Sequence, residues 1–330
     1  MKRTENNQNL IVTGCAGFIG FHLCRRLLDM GYTVHGFDNL NDYYKVQLKK
    51  DRIALLNHPR FHFYEEDLSS ADLKNIWGKI KPQTVYHLAA QAGVRASLTH
   101  PEKYIQSNIQ GFFQVLEALR QTPPEHCIYA SSSSVYGHLN RAPFKETEPC
   151  NHPVSLYAAT KKSNEMMAST YSHLFQIPLT GLRFFTVYGS WGRPDMAYYT
   201  FTKNLFENKE IQLFEAKKQK RDFTHVSDVV ESLIRLKDKA PQYNPETQSF
   251  HRLLNIGAQN PITLLEMVKT IEEITGRKFI SKDLPAQKGE VLMTYADSSS
   301  LQQLIDYVPK MTFRDGYLEF YTWFKNYENC

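Results

Sequence analysis

Cysteine is scarce in this 330-residue sequence: there are five, Cys15, Cys24, Cys127, Cys150 and Cys330, and no two form a C-x-x-C pair. That spacing excludes a zinc ribbon and a dithiol redox motif, and an odd, scattered set suits a reducing compartment. Charge of one sign is sparse too. The net charge is only +5, with no dense Lys/Arg block, so no nucleic-acid partner is expected. The few extra cations favour an acidic small molecule instead. Long apolar runs are also missing. After the polar MKRTENNQN, the run Leu10–Val12 falls far short of a signal peptide or of the ~20 residues that span a bilayer. A cytoplasmic location is expected, with no membrane association and no metal. No internal repeat is visible.

What is present is a core and an alternation. Hydrophobic residues make up 42% of the chain, enough for one large domain or two smaller ones. Short apolar runs rich in Val, Ile, Phe and Tyr occur at Leu10–Thr13, Thr33–Asp38, Phe61–Tyr64, Thr84–Leu88, Cys127–Ser131 and Leu179–Phe185. Amphipathic segments lie between them, as at Phe18–Met30, Tyr104–Gln121 and Val154–Phe175. This order predicts βαβ units: an α/β fold with a Rossmann-type, doubly wound parallel sheet covered on both faces. The last third differs. T-L-L-E at Thr263–Glu266 is a capping box that opens a helix running to Gly276, and Phe313–Tyr327 reads as another helix. Between Thr186 and Asp222 the pattern is irregular, aromatic and basic.

The first strand ends in TGCAGFIG, with Gly14, Gly17 and Gly20 spaced G-x-x-G-x-x-G and Phe18 and Ile19 opening the next helix. Glycines here let the backbone turn sharply and approach a pyrophosphate at a helix N-terminus. A glycine pattern alone is weak, but this one stands between a strand and a helix. Cys15 inside it reads as a small space-filler. Asp38 ends the second strand, where a carboxylate can accept from both ribose hydroxyls and repel a 2′-phosphate. Asn39, Leu40 and Asn41 follow with no arginine, so NAD is expected over NADP. As a bare dipeptide Asp38–Asn39 is an ordinary turn; its place after the second strand argues for the cofactor.

Tyr157 and Lys161 stand four apart in YAATK, on one face of a helix. A nearby ammonium favours a phenolate, so the pair suits a general base for a substrate hydroxyl. The motif also occurs by chance on solvated helices. The run YASSSSVYG gives it context. A serine run is usually a loop, but this one ends a strand, where the ligand crevice of a parallel sheet lies. Ser132 to Ser134 therefore belong at the mouth of the site.

Together TGCAGFIG, HLAAQAGVR, SSSSVYG and YAATK resemble the extended short-chain dehydrogenase/reductase superfamily, over nearly the whole chain. DNLNDYY (38–44), RFFTVYGSWGRPDMA (183–197) and RDFTHVSDV (221–229) resemble, more narrowly, its UDP-glucuronate 4-epimerases. The resemblance implies an isomerase that interconverts UDP-glucuronate and UDP-galacturonate through a 4-keto intermediate, with hydride shuttled by tightly bound NAD. It implies an NAD-binding domain over 1–185, with 225–260 returning to it, and a smaller C-terminal UDP-sugar-binding α/β region from 186–224 and 261–330. Gly14, Gly17, Phe18, Ile19, Gly20, Asp38, Asn39, Asp67, Leu68, Leu88, Ala89 and Ala90 would hold NAD, with Tyr157 and Lys161 at the nicotinamide end. Tyr157 would be the acid/base, assisted by Ser132 and Lys161. Arg95, Ser132, Ser133, Ser134, Thr186, Arg193 and Arg221 would meet the substrate, Arg221 at the diphosphate, Thr186 and Arg193 near the sugar carboxylate. Relatives are often homodimers joined through the Tyr157 helix.

Ser132 stands where many relatives carry threonine. Ser190 in YGSWG replaces a usual proline, which removes a restraint from that loop. Glu290 in QKGEVLMTYAD stands where aspartate is common. The residues before VYG separate the neighbours: decarboxylases of UDP-glucuronate carry glutamate there, and 4,6-dehydratases an Asp-Glu pair. Ser133 and Ser134 offer neither. A UDP-glucose/galactose 4-epimerase and a UDP-glucuronate decarboxylase remain same-class alternatives. A non-catalytic NAD-sensing protein is the alternative from another class, although such proteins commonly lose the tyrosine or lysine.

Overall fold

The computed structural model describes residues 8–139, 141–214, 216, 218–284 and 293–328. Glu290, residues 287–292 of QKGEVLMTYAD and Cys330 lie outside these residues. Six strands form where the sequence predicts them: β1 (Asn9–Thr13), β2 (Thr33–Asp38), β3 (Phe61–Glu65), β4 (Thr84–His87), β5 (His126–Ser132) and β6 (Leu179–Phe184). A seventh, His251–Ile256, returns to the sheet and pairs with β6, with His251 opposite Leu179. The sheet runs His251–Ile256, β6, β5, β4, β1, β2, β3, all parallel. Strand order therefore reverses between β1 and β4.

The apolar runs are continuous because the sheet is covered on both faces. In β1, Leu10 and Val12 join one core cluster and Ile11 joins the other. The first cluster takes Phe21, Leu23 and Leu27 of helix α1 (Phe18–Asp29), with Val229 and Leu233 of the Val226–Leu236 helix. The second takes Trp77, Val115, Leu119 and Ala168. Each such buried side chain contributes roughly 2 kcal/mol relative to leaving it exposed.

The single helix expected over Tyr104–Gln121 is broken into parts: Pro101–Tyr104, a π-helical turn at Ile105–Gln110, and Gly111–Gln121. The buried Asn108 lies in the wide turn. Its amide accepts from Gln91 N (2.8 Å) and donates to Gln91 O (3.1 Å) and Thr160 Oγ1 (3.0 Å). A polar side chain placed this way favours a bulge over a regular turn.

The capping box is present: Thr263 Oγ1 accepts from Glu266 N (3.0 Å) and Glu266 Oε2 from Thr263 N (2.6 Å), at the start of the Leu264–Thr275 helix. Gly276 ends that helix with φ 68°. The last helix is Phe313–Glu328. The 186–222 segment, expected to be irregular, holds short regular elements. Thr186–Tyr188 pairs with Lys220–His225, Ala197–Phe206 is a helix, and Ile211–Phe214 pairs with Ser281–Leu284. Strands of three or four residues are too short to show a period. An aromatic core of Tyr188, Tyr198, Phe223, Tyr317 and Phe320 holds the first three together, and Ile211 and Leu213 pack with Val268 in a separate cluster.

Candidate active site

A cleft of about 370 Å³ opens at the carboxyl ends of the strands, where their order reverses. Its floor is the glycine loop. Gly14 has φ 73°, and a β carbon there would lie 2.8 Å from Ala89 N. One at Gly20 would lie 2.1 Å from Gly14 O. The turn after β1 thus rests on the turn after β4, and only glycine fits. Helix α1 starts at Gly17 with no side-chain cap and no acidic residue in its first turn. Its first N–H groups and positive dipole end suit an anion. Cys15 is fully buried, and its Sγ would stand 2.8 Å from a β carbon on Gly36; it fills space.

Asp38 Oδ2 accepts from Ala16 N (3.1 Å) and Oδ1 from Leu40 N (2.9 Å). Each oxygen keeps a further lone pair, as a ribose diol requires. Burial raises its pKa against the pull of Lys49 and the two N–H groups. Asn39 donates to Asp67 Oδ2 (2.9 Å), and Ser69 N and Oγ hold Asp67 Oδ1 (2.9 and 2.6 Å). Leu68, Leu88, Ala89, Ala90, Phe18 and Ile19 line the same cleft. An anion cradle, a carboxylate with lone pairs to spare and an apolar floor are the parts a dinucleotide such as NAD needs.

The reacting end is built by the Leu156–Phe175 helix against β5. Ser155 caps the helix by accepting from Ala158 N (3.1 Å). Tyr157, Lys161 and Glu165 follow at intervals of four on one face, and each meets the end of β5. Tyr157 and Ser132 line the same cleft, and the Ser132 hydroxyl opposes the rise in the tyrosine's pKa. Lys161 Nζ donates to Ala130 O (2.8 Å). Glu165 Oε1 accepts from Ser131 Oγ (2.7 Å). Arg183 then grips Glu165 with two bonds, Nε–Oε1 2.8 Å and Nη2–Oε2 3.0 Å, both residues being buried. Ser132 Oγ also accepts from Ser134 N (3.1 Å) as it caps the short Ser133–Tyr136 turn. With one lone pair so used, its proton can still be donated within the cleft.

Burial raises the Tyr157 pKa, and the Ser132 hydroxyl and the Arg193 charge oppose the rise. Burial lowers Lys161 to about 7. The Lys161 ammonium bonds a main-chain carbonyl, and the Arg193 charge is a further influence that favours the phenolate of Tyr157.

Arg193 Nε donates to Asp195 Oδ1 (3.0 Å) and Nη2 to Oδ2 (2.6 Å). Ser133, Ser134, Thr186 and Arg193 line the cleft together with Ser132, Tyr157 and Lys161. Arg95 and Arg221 do not line it; Arg95 is exposed beside Val94, and Arg221 lies on the Lys220–His225 strand. Ser190 regains the restraint that its missing proline would supply. Its carbonyl bonds His22 Nε2 (2.8 Å) and its hydroxyl donates to Glu319 Oε1 (3.2 Å). Among the described residues, no group of three His, Cys, Asp or Glu is placed to hold a metal ion, and no helix is long and apolar enough to cross a membrane.

Arg52, Asn108, Glu165 and Asp195 are not marked as site residues by any pattern in the sequence. Arg52 is fully buried and donates to Ala16 O in the glycine loop (2.7 Å), Tyr44 Oη (2.6 Å) and Trp191 O (2.6 Å). In one sequence a buried arginine looks like a surface one. For Asp195 the nearest thing to a signal is its place two residues after Arg193 in GRPDMA.

Residues 10–256 match the NAD dependent epimerase/dehydratase family. The chain belongs to this family. It is 40% identical over 334 residues to a probable UDP-glucuronate 4-epimerase of Rhizobium meliloti (strain 1021), covering 97% of this chain and 98% of that one. It is 44% identical over 329 residues to protein CapI of Staphylococcus aureus, covering 96% and 98%. The fold is similar to the UDP-glucuronic acid 4-epimerase of Bacillus cereus, crystallised with UDP-glucuronic acid and NAD. The TM-score is 0.88 at 34% identity, over 97% of this chain and 100% of that one.

Proposed function

We propose that this protein is a UDP-glucuronate 4-epimerase, an isomerase that interconverts UDP-glucuronate and UDP-galacturonate with tightly held NAD. The observation that carries the reading is the convergence of Ser132, Tyr157 and Lys161 in one cleft at the end of β5, within a chain similar over its length to epimerases of that substrate.

In this reading the Gly14–Gly20 loop holds the pyrophosphate, Asp38 and Asn39 the adenosine ribose, Asp67 and Leu68 the adenine edge, and Leu88 to Ala90 the groove. NAD, when bound, supplies the hydride acceptor and later the donor for the sugar's C4. Tyr157 takes the proton from the O4 hydroxyl and later returns it. Ser132 orients that hydroxyl by hydrogen-bonding beside Tyr157. Lys161 holds the nicotinamide ribose and, while protonated, favours the phenolate. The 4-keto sugar must turn over between the two halves, so its contacts have to be few and at the periphery.

That intermediate is a β-keto acid. It loses CO₂ most readily when the C5–carboxylate bond stands perpendicular to the ketone plane. Ser133, Ser134, Thr186 and the Nη1 edge of Arg193 left by Asp195 hold the carboxylate out of that geometry, through charge-assisted hydrogen bonds. Arg95 and Arg221 approach the substrate from the rim. No carboxylate stands at 133 or 134, which disfavours dehydration and, less strongly, decarboxylation. Arg193 disfavours a neutral UDP-hexose as the preferred substrate, and the intact Tyr157–Lys161 pair disfavours a non-catalytic sensor. Location in the cytoplasm is part of the proposal, where four buried free thiols (Cys15, Cys24, Cys127, Cys150) stay reduced. So is a homodimer. Leu98 and Met166 expose 73% and 63% of their surface, with Ile105 and Phe113 half-exposed nearby. Light scattering should then give twice 38.3 kDa, and a monomer mass would remove the dimer.

The test is incubation of the purified protein with UDP-glucuronate, with the nucleotide sugars identified by NMR and CO₂ measured. UDP-galacturonate and transient NADH fluorescence are expected. UDP-xylose or a 4-keto-6-deoxy sugar as product would sink the reading.

A further inference from the structure

Two tethers join the cofactor end of the cleft to its other end. The inner one is Arg52, fully buried, which links the glycine loop to the main chain at Trp191 and Gly192. The outer one lies at the mouth. Tyr43 comes from the loop after β2 that also carries Asn39 and Asn41, and it lines the cleft with them. Its hydroxyl donates to Asp195 Oδ2 (3.0 Å), the oxygen that also accepts from Arg193 Nη2 (2.6 Å). The Arg193 guanidinium lies 5.8 Å over the Tyr43 ring. Gly93, in the loop after β4, gives the phenol its seat, because a β carbon there would lie 1.9 Å from Tyr43 Oη. Tyr104 holds that seat through a hydrogen bond to Gly93 O. Loops after three different sheet strands or substrate-side elements thus converge on one hydroxyl and one carboxylate.

The two tethers differ in exposure. The Arg193 and Asp195 side chains are 21% and 35% exposed, so their contacts can open without disturbing the core, whereas those of Arg52 cannot. Burial alone would raise the Asp195 pKa, but the Arg193 guanidinium and the Tyr43 hydroxyl more than reverse it and keep the carboxylate ionised. An epimerisation that returns its cofactor unchanged never needs to release it, so residence time is a property of the cleft walls alone.

We propose that Tyr43, Asp195 and Arg193 form a clasp that ties the cofactor-side loop to the opposite loop and slows the release of NAD. The Arg193 charge also favours the phenolate of Tyr157, so a closed clasp keeps that charge beside the acid/base. The clasp concerns the cofactor and does not depend on which sugar is the substrate.

The test is a displacement experiment. Protein loaded with NADH is mixed with excess NAD⁺, and loss of tryptophan-to-NADH energy transfer gives the off-rate. Tyr43→Phe removes one hydroxyl and should speed release about fivefold to tenfold. Asp195→Asn weakens the charge-assisted bonds too and should speed it about tenfold to a hundredfold. The double variant of Tyr43→Phe with Asp195→Ala should release no faster than Asp195→Ala alone, because alanine has already left the Tyr43 hydroxyl without its partner. Unchanged off-rates in the two single variants overturn the clasp, and so do effects that simply multiply in the double variant. Should Asp195→Asn fail to fold, the Tyr43→Phe off-rate decides alone, with its thermal midpoint as the control for general loosening.

Discussion

At Gly20 one methyl group decides whether the glycine loop can close. The added carbon would stand 2.1 Å from Gly14 O, a main-chain atom with nowhere to go. Gly20→Ala should therefore push the loop off Ala89 and weaken NAD binding by at least about a hundredfold in a calorimetric titration; unaltered affinity would contradict the cradle. At Tyr157 a hydroxyl is at stake. Tyr157→Phe should lower kcat by about 10²- to 10⁴-fold while NAD remains bound, and Ser132→Ala should lower it less. Lys161 makes a prediction of a different kind. Its pKa in the fold is about 7, down from 10.5, through burial. Between those values the unfolded chain binds more protons than the folded one, so this contribution to stability rises with pH. Below pH 7 both states are protonated and the burial penalty is felt in full. In cofactor-free protein, Lys161→Met should gain most over wild type at or below pH 7, and the gain should fade toward pH 10 in denaturant unfolding. A gain that grows with pH would contradict this.

At the scale of elements, the Leu156–Phe175 helix is fixed to β5 by Lys161 and Glu165, and Glu165 joins it to β6 as well. Glu165→Gln keeps the shape but leaves Arg183 as a buried charge without its counter-ion, at a cost of about 3–5 kcal/mol in unfolding free energy. A loss near zero would mean that water or Tyr136, whose ring lies 4.8 Å from the Arg183 guanidinium, already compensates. Much at this scale was legible in the chain. β1 to β6 announce themselves because strands buried on both faces must be apolar throughout, and Tyr157–Lys161 and the glycines because their chemistry needs fixed spacings. Arg52 and Glu165 were not legible, because burial of a charge is a fact of the fold and leaves no local period. The break at Asn108 was hidden because its cause, the main chain of Gln91, lies 17 residues away. The 186–222 elements were hidden because none is long enough to display a repeat. Arg193 was found as a cation of the cleft, but its partner Asp195 was not, since a pattern of residues shows charges and not their pairing.

At the scale of the whole molecule, neutral histidines tie the fold to pH. Burial holds His22, His35, His126 and His251 near 4 and His87 near 3, against 6.5. Their folded pKa values are depressed, so the unfolded chain takes up more protons as pH falls below 6.5. The stability they contribute is intact above 6.5 and is lost progressively down to about 4. The thermal midpoint should be flat above pH 6.5 in this respect and drop steeply between 6.5 and 4. His87→Asn should make the drop shallower, and an unchanged slope would remove His87 from the account.

The strand His251–Ile256 makes the two halves inseparable by a single cut. A fragment ending at residue 185 would strip β6 of its outer neighbour and bare the main-chain N–H and C=O groups of Leu179–Phe184, an edge that recruits foreign strands. It would also uncover the core now closed by Leu254 and Ile256. Descent leaves its mark in this arrangement. A new sugar preference cannot arrive by splicing another C-terminal block onto the cofactor half, because the splice would cut through the sheet. On the proposed function it has to accumulate in place, one side chain at a time, at cleft-lining positions such as 133, 134, 186 and 193.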